Sequence, residues 1–361
     1  MTTPTTMRAI LPIHDGYNTG EPIGLDWSDL SRFAALRETP VPEPGAGQVL
    51  IRVARAAVNP SDLHYLAGEY GLPRRADAAA GFEGTGTVVG GQGLYARWLT
   101  GKRVAFAAGP TGTGTWAEYA VADAATAIPV GGRIRNEDAA SLLVNPFTAW
   151  AMVDDAIRHH RPRAKDGRMP AVILTAGASQ LSRLALALAR ERGLPAIAVV
   201  RRPEQRAMLL AEGADTVLVT TEADYESQRD EAVRRLRPLT VLDAVCDTVS
   251  SDLAALLGSG GRWVVYGGLG GERPPGLSPL DAIFRNKRQE GFWLSTWLQR
   301  APIARRLRCV RDVRARFADG RWTTTVAAAV PLENAMADLL PAPRRDEAGE
   351  GGKVQIVMPA A

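Results

Sequence analysis

Residues 171–203 read AVILTAGASQLSRLALALARERGLPAIAVVRRP, a helical pattern between two short apolar runs. The runs Ala171–Thr175 and Ala196–Val200 have the length and β-branched content of buried strands, whereas the leucines and alanines of Ser179–Arg192 recur at helical spacing. A strand, a helix and a second strand in this order predict a βαβ unit with parallel strands and a right-handed crossover.

The alternation of helices and strands continues downstream of this unit. It predicts helices at Pro203–Glu212, Asp224–Arg235 and Asp252–Leu257, and strands at Thr216–Val219, Val241–Cys246 and Arg262–Tyr266. Repeated units of this kind predict an α/β domain of the doubly wound Rossmann type with a parallel sheet.

The sequence before residue 140 has a different pattern, with short β segments separated by glycine and proline. These segments are Gln48–Ala54, Gly84–Val89, Lys102–Ala107 and Trp116–Val121. They predict a partly open β-barrel, and a helix at Asn145–His160 begins the second domain. A helix at Ala304–Ala318 and a last strand at Lys353–Met358 fit no further βαβ unit, so we expect three segments: residues 1–140, 141–300, and a return segment 301–361 that completes the first domain.

Composition excludes several classes of protein. The chain of 361 residues is 46% hydrophobic, with a net charge of +4 and only two cysteines, which excludes disordered chains and disulfide scaffolds. Its basic residues are scattered, so we expect no nucleic-acid partner. Residues 1–8 carry no apolar signal core and no apolar run is long enough to span a bilayer, so we expect a cytoplasmic protein without a membrane partner.

A metal site is not expected either. Zinc sites need three or four ligands from cysteine, histidine or acidic side chains. The two cysteines have no such partner nearby, and the four histidines are His14, His64, His159 and His160.

The first turn of the doubly wound domain, Thr175–Ser182, lies where a dinucleotide pyrophosphate binds in such folds. The turn is not GxGxxG, but its small residues allow close backbone approach, and Ser179 is a suitable helix cap. A small-residue turn without a ligand is the alternative. We take as cofactor-binding candidates Gly177, Ala178, Ser179, Gln180 and Leu181.

Two further features favour a phosphorylated cofactor. Arg201 and Arg202 follow the second strand, at the point where an NAD-selective protein places an acidic residue for the ribose hydroxyls. Cations at a helix start oppose the helix dipole, so they favour an anionic partner such as a 2′-phosphate. Gly267 and Gly268, after the last predicted strand of the alternation, form a second glycine-rich loop at the same sheet edge. NADP(H) is therefore the predicted cofactor.

Tyr70 is a candidate proton donor in the first domain. It lies in Gly68-Glu69-Tyr70-Gly71, shortly after Asn59-Pro60-Ser61-Asp62. A phenol is protonated at neutral pH and can donate to a carbonyl oxygen or deliver a proton to an enolate. A tyrosine that only covers its own turn is the alternative.

The order of domains resembles the medium-chain dehydrogenase/reductase superfamily over nearly the whole chain. Three runs are similar to the zinc-independent 2-enoyl thioester reductases of mitochondrial fatty-acid synthesis, with the quinone oxidoreductases as close cousins: residues 59–62 with 68–71, residues 145–149, and Gly291–Trp297. The resemblance implies a GroES-like catalytic domain and an NADPH-binding Rossmann domain, with homodimers formed through the latter.

The resemblance also implies roles for individual residues. Tyr70, with Asn59 of the preceding motif, corresponds to the catalytic region, and Asn145 and Thr148 to the lining of the active-site cleft. Arg201 and Arg202 correspond to the 2′-phosphate clamp. The positions beside the nicotinamide correspond to Gly267, Gly268, Phe292 and Lys353.

Two departures from the superfamily pattern stand out. The family usually has Gly-x-Gly where this chain has Ser179-Gln180-Leu181. Zinc-dependent relatives carry cysteine and histidine where this chain has Asn59 and Phe82.

The expected function is an NADPH-dependent, metal-free oxidoreductase that transfers hydride to the β-carbon of an activated C=C bond, in an enoyl thioester or an enone. Its substrate is then a small molecule, with acyl thioesters as one class. The alternatives are a quinone oxidoreductase of the same superfamily and a non-catalytic NADPH-binding protein.

The two arginines after the second strand generate a first prediction. We expect NADPH to bind at least about tenfold more tightly than NADH, equivalent to about 1.4 kcal/mol. Titration of the purified protein with each nucleotide, followed by nicotinamide fluorescence, measures the two dissociation constants. Equal constants would contradict the assignment of Arg201 and Arg202.

Overall fold

The structure, a computed structural model, describes residues 3–20, 29–109, 112–165, 167–271, 274–340 and 352–359. The chain divides into two compact units, the first formed by residues 1–144 and 312–361 and the second by residues 145–311. These divisions lie after the residues 140 and 300 expected from sequence. In the part of the chain described, no helix is long and apolar enough to cross a membrane.

The strands follow one another along the whole chain. In chain order they are β1 (Thr6–Pro12), β2 (Ala34–Pro40), β3 (Gln48–Val58), β4 (Glu83–Gly91), β5 (Arg103–Ala107), β6 (Tyr119–Asp123), β7 (Ile128–Pro129), β8 (Val172–Leu174), β9 (Ala196–Val200), β10 (Thr216–Val219), β11 (Thr240–Asp243), β12 (Arg262–Val265), β13 (Arg288–Gly291), β14 (Val326–Pro331) and β15 (Lys353–Val357).

The α-helices are concentrated in the second unit. They are α1 (Pro60–Ala67), α2 (Leu94–Leu99), α3 (Asn136–Ala140), α4 (Val144–His160), α5 (Gln180–Glu191), α6 (Arg206–Glu212), α7 (Tyr225–Leu236), α8 (Thr248–Ala255), α9 (Pro279–Arg285), α10 (Leu294–Arg300), α11 (Ile303–Ala318) and α12 (Ala335–Asp338).

The sheet of the first unit is organised around its long strand β3. One edge of β3 pairs with β4, while the other edge pairs with β6 along residues 48–52 and with β15 along residues 55–58. The last strand of the chain therefore pairs with the central strand of the first unit. The core beneath this sheet includes Ile51, Leu99, Phe106 and Trp116, all of which are fully buried.

The second unit contains a six-stranded parallel sheet in the order β10-β9-β8-β11-β12-β13. Strands β9 and β10 follow β8 on one side of the sheet, and strands β11, β12 and β13 follow it on the other side. Ligands of open α/β sheets bind at the carboxyl ends of the strands where this reversal occurs. The prediction of a doubly wound domain is confirmed.

Two boundaries predicted in the second unit were wrong. The strand predicted to reach Cys246 ends at Asp243, because the Asp243 carboxylate accepts the backbone N–H groups of Val245 (3.0 Å) and Cys246 (3.2 Å) and turns the chain. The following helix starts at Thr248 rather than Asp252, because the Asp247 side chain caps it.

His160 joins the end of α4 to the sheet of the second unit. Its Nδ1–H donates to the Pro170 carbonyl oxygen (2.8 Å), and its Nε2 lies 2.8 Å from the Thr240 hydroxyl, on β11. The ring is fully buried. Burial is the main cause that lowers the pKa of His160 from its usual value to about 4.

This buried imidazole makes the stability of the fold depend on pH. The unfolded chain binds a proton at this site near pH 6.5, whereas the folded chain binds it only near pH 4. The contribution of neutral His160 to the free energy of unfolding is therefore complete above pH 6.5 and is lost as the pH falls to about 4. Over that range we expect a loss on the order of 3 kcal/mol. In His160→Gln the free energy of unfolding, measured with denaturant at several pH values, should fall less steeply with decreasing pH than in the unaltered chain.

The exposed His14 provides a matched control in the other unit. His14→Gln should keep the pH dependence of the unaltered chain. Equal slopes for His160→Gln and the unaltered chain between pH 6.5 and 4.5 would contradict a neutral buried His160.

Candidate active site

The position of Tyr70 depends on how α1 ends. Gly68 terminates the helix with φ of 75°, and a Cβ added there would lie 2.6 Å from the backbone nitrogen of Asn18, so only glycine fits. Tyr70 follows in a bend and is half-buried. Its ring centroid lies 5.0 Å from that of Phe82, which in turn lies 5.4 Å from that of Tyr65.

A buried polar cluster lies at the start of α1. It consists of Asn59, Asp62, Glu83 and Lys353, none of which is more than 6% exposed. The Asn59 side chain donates from Nδ2 to Glu83 Oε1 (3.1 Å), and its Oδ1 accepts a hydrogen bond from the Lys353 ammonium. The amide of Asn59 thus joins a carboxylate to an ammonium group.

Glu83 also supports the start of α4. Its Oε2 accepts the backbone N–H groups of Leu143 (3.0 Å) and Val144 (2.9 Å). Burial raises the pKa of Glu83, while Lys353 and the hydrogen bonds to the carboxylate lower it. The Lys353 ammonium therefore stabilises the ionised form of a fully buried acid.

Asp62 connects α1 to Phe82, which directly precedes β4. Its carboxylate accepts the backbone N–H groups of Asn59 (2.6 Å) and Phe82 (2.8 Å). Complete burial raises the pKa of Asp62 to about 7, although both hydrogen bonds act in the opposite direction. Through these two bonds Asp62 holds Phe82 in place beside Tyr70.

The candidate cofactor turn in the second unit packs tightly against the neighbouring strand. A Cβ added at Gly177 would lie 3.0 Å from Ala198 Cβ and 3.2 Å from Val199 O, so this position admits little more than glycine. Ser179 caps α5, as predicted, by accepting the N–H of Ser182 (3.2 Å). Ala178, Gln180 and Leu181 complete the turn and the first residues of the helix. A tight turn before a helix N-terminus fits a dinucleotide pyrophosphate.

Asp243 was not among the residues predicted from sequence, although it anchors this turn. Its Oδ1 accepts the Thr175 hydroxyl (2.7 Å) and the Ser250 hydroxyl (2.8 Å), and its Oδ2 accepts the indole N–H of Trp263 (2.8 Å). The signal in the sequence that could have identified it is an aspartate directly after the apolar residues 241–242. Asp243 is fully buried, and a buried carboxylate needs several hydrogen-bond donors around it.

Five further cofactor candidates lie at the carboxyl edge of this sheet. Arg201 and Arg202 follow β9, Gly267 and Gly268 follow β12, and Phe292 follows β13. Arg201 is exposed, and its guanidinium has no ion pair among the described residues. Arg202 has only a long contact with Glu204, at 3.8 Å. The two cations are therefore available to an anionic ligand.

The remaining candidates belong to different units. Asn145 and Thr148 lie at the start of α4, in the second unit, and Thr148 is buried. The resemblance grouped Lys353 with Gly267, Gly268 and Phe292, but Lys353 belongs to the first unit and binds Asn59.

The polar groups near Phe82 do not form a zinc site. Within the described ranges, no three histidine, cysteine or acidic side chains converge in a way that could hold a metal ion. At the two positions that zinc-dependent relatives use, this chain has a phenyl ring and an amide that already binds the Lys353 ammonium. An ammonium group at this point also repels a divalent cation.

Comparison with known proteins agrees with the fold. Residues 45–132 match the alcohol dehydrogenase GroES-like domain family, and residues 181–308 match the zinc-binding dehydrogenase family. The first unit is thus GroES-like, as the resemblance implied.

Three similar proteins span most of the chain. A mitochondrial enoyl-[acyl-carrier-protein] reductase of Bos taurus is 30% identical over 81% of this chain and 74% of its own length. Prostaglandin reductase-3 of the same species is 31% identical over 73% and 68%. A solved structure from Mesorhizobium loti, assigned as an NADPH:quinone reductase, is 40% identical, covers 99% of this chain and 100% of its own, and has a TM-score of 0.88. The chain therefore belongs to the medium-chain dehydrogenase/reductase superfamily, which confirms the resemblance seen in its sequence.

Proposed function

We propose that this protein is an NADPH-dependent, metal-free reductase of activated C=C bonds. The observation that carries the proposal is the half-buried Tyr70 phenol, whose ring lies against Phe82, a residue held through its backbone N–H by Asp62 of the buried polar cluster. The similar enoyl-[acyl-carrier-protein] reductase and the NADPH:quinone reductase support this class of reaction.

NADPH fits the residues at the carboxyl edge of the second unit. The turn at Gly177–Leu181 would hold the pyrophosphate, Arg201 and Arg202 the 2′-phosphate, and Gly267, Gly268 and Phe292 would lie toward the nicotinamide. When bound, NADPH supplies a hydride, and its electron pair forms the new C–H bond at the β-carbon while the C=C π bond breaks.

The role of the protein is to stabilise the charge that then develops on the substrate carbonyl oxygen. The Tyr70 phenol donates a hydrogen bond to this oxygen or a proton to the α-carbon, and water reprotonates the phenol. Preorganised donors of this kind contribute about 3–4 kcal/mol each in a site that excludes water. Asn59, Asn145 and Thr148 are proposed to orient the substrate.

Quinone reduction is the second candidate, because the Mesorhizobium loti protein assigned as an NADPH:quinone reductase is 40% identical over nearly the whole chain. In that reaction the hydride and one proton convert a quinone to a hydroquinone. Tyr70 would then be dispensable, since the product oxygens exchange protons with water.

We also propose a homodimer formed through the second unit. Among the described residues, β13 is an edge strand that pairs only with β12 within its sheet, so we propose that its other edge pairs with a second copy. The neighbouring helix α9 exposes Leu280, Ile283 and Phe284, each more than 60% exposed. Burying such side chains stabilises a dimer.

The proposed compartment is the cytoplasm. The chain has only two cysteines, the half-buried Cys246 and the buried Cys309, and no disulfide joins them in the described structure. A chain without a disulfide framework is typical of a reducing compartment.

The experiment that tests the function follows NADPH oxidation by absorbance with crotonyl-CoA, a quinone and a simple enone. Turnover of crotonyl-CoA or the enone supports the reductase of C=C bonds. Turnover of the quinone alone favours the second candidate. NADPH binding without turnover of any acceptor would contradict both candidates.

Tyr70→Phe tests the proton donor directly. Removing the phenol oxygen leaves the ring contact with Phe82 in place, so we expect kcat with the best enone or enoyl thioester to fall about 100-fold or more. The dissociation constant for NADPH should stay unchanged, since the phenol is assigned to the substrate oxygen or α-carbon and not to the cofactor.

Tyr17, which is 53% exposed, gives the matched control. Tyr17→Phe should retain full activity. A kcat for Tyr70→Phe within about threefold of the unaltered chain would show that Tyr70 is not the proton donor, because general acid catalysis contributes far more.

The buried polar cluster generates a separate prediction for stability. Lys353→Met leaves the ionised Glu83 buried without its cation, which should lower the free energy of unfolding by about 3–5 kcal/mol. The double variant Glu83→Gln/Lys353→Met removes both charges and should lose less than Lys353→Met alone. Denaturant unfolding of the single and double variants measures the coupling between the two residues.

The single variant Glu83→Gln completes this cycle. If the losses of the two single variants simply add in the double variant, the charges of Glu83 and Lys353 are not coupled. The cluster would then have no ionic role in the first unit.

A further inference from the structure

We infer that the substrate enters the first unit as a compact, flat group of about one six-membered ring, so that single-ring enones and quinones are the preferred acceptors. This inference rests on the proposed function and adds to it the size and shape of the substrate.

The first unit contains a cavity of about 150 Å³ beside Phe82. The aromatic walls are Phe82 and Tyr65, whose rings meet edge to face at 65°. The side chains of Leu72 and Ala78 also line it, and most of the remaining lining residues are glycine or alanine. The cavity is therefore a small apolar pocket with an aromatic face.

The volume of the cavity limits what can enter. An engineered protein cavity of about 150 Å³ binds one benzene molecule. A fused two-ring or three-ring quinone, or a long acyl chain, exceeds this volume unless the lining residues move. Because the cavity is open on one side, a larger ring would leave part of its apolar surface outside the pocket, so the pocket should discriminate by how much of a ring it can bury.

The aromatic walls favour a flat ring over an alkyl chain of the same volume. Offset-stacked and edge-to-face pairs of rings add about 0.5–1.5 kcal/mol beyond the burial of their area. A planar enone or quinone can stack on Phe82, whereas a flexible chain also loses conformational freedom when it enters.

The pocket is connected to the proposed chemistry through Phe82. This residue lines the cavity, and its ring centroid lies 5.0 Å from that of Tyr70. Asp62 fixes the Phe82 backbone by accepting its N–H. A ring bound in the cavity therefore contacts Phe82, which in turn contacts the ring of the proposed proton donor.

Arg75 is the charged residue among those that line the cavity. Its Nε lies 3.3 Å from Asp77 Oδ1, and both side chains are substantially exposed, so the ion pair is weak. Its backbone N–H donates to the Tyr65 hydroxyl (3.0 Å), which fixes the segment that follows Leu72. The charge disfavours cationic substrates, which leaves neutral or anionic rings.

The test measures kcat/KM with NADPH for cyclohexenone, naphthoquinone, phenanthrenequinone and dodecenoyl-CoA. Since these acceptors differ in intrinsic reactivity, each variant is compared with the unaltered chain on the same acceptor. Leu72→Ala enlarges the cavity and should raise kcat/KM for naphthoquinone about tenfold relative to cyclohexenone. Ala78→Leu fills it and should lower kcat/KM for cyclohexenone about tenfold or more, with no change in the dissociation constant for NADPH.

Binding provides a second readout that does not need turnover. Cyclohexanone, a saturated analogue, should raise the melting temperature of the chain loaded with NADP⁺, and the two-ring analogue tetralone should do so only in Leu72→Ala. Leu307→Ala, at a position 63% exposed in the second unit, controls for handling of the variants. If Leu72→Ala does not fold, the comparison of Ala78→Leu with the unaltered chain still decides the question.

The outcomes separate this inference from the proposed function. Efficient use of phenanthrenequinone or dodecenoyl-CoA, unchanged by either pocket variant, would overturn the size limit while leaving the reductase function in place. Size-graded binding without turnover of any acceptor would support the pocket and contradict the reductase function. If cyclohexanone does not bind and Ala78→Leu has no effect, the inference is wrong.

Discussion

The fully buried carboxylate of Glu83 is the group on which the first unit depends most. Burying a carboxylate costs several kcal/mol, and only well-placed partners offset that cost. Its partners come from the start of α1, the start of α4 and, through Asn59, the last strand β15. One charge therefore connects segments that lie nearly 300 residues apart in sequence.

The same cluster accounts for how this chain departs from its zinc-dependent relatives. The Asn59 amide binds an ammonium group, which repels a cation, and the Phe82 ring, which carries no metal ligand, lines an apolar pocket. Phe82 also contacts the ring of Tyr70, the proposed proton donor.

The second unit uses a buried acid in a comparable way. Asp243 ends β11, caps no helix, and instead joins the turn after β8 to Trp263 on β12. These three parallel strands adjoin one another at the reversal of the sheet order, so Asp243 ties together the edge where the cofactor is proposed to bind. The tight packing of Gly177 against β9 completes a rigid turn despite the missing glycines.

The sequence by itself determined the alternation of strands and helices after residue 171, the cap at Ser179 and the superfamily, because these depend on local periodicity and on motifs of a few residues. It did not reveal the antiparallel pairing of β1 and β2, because a long connection separates these strands in the sequence. It also did not reveal the early end of β11, because the Asp243 side chain decides it. Only the tertiary structure brought Lys353 to Asn59 and formed the cavity beside Phe82. Both features arise where distant segments pack together, and the energetics of a buried charge or an empty volume depend on neighbours that no local pattern specifies.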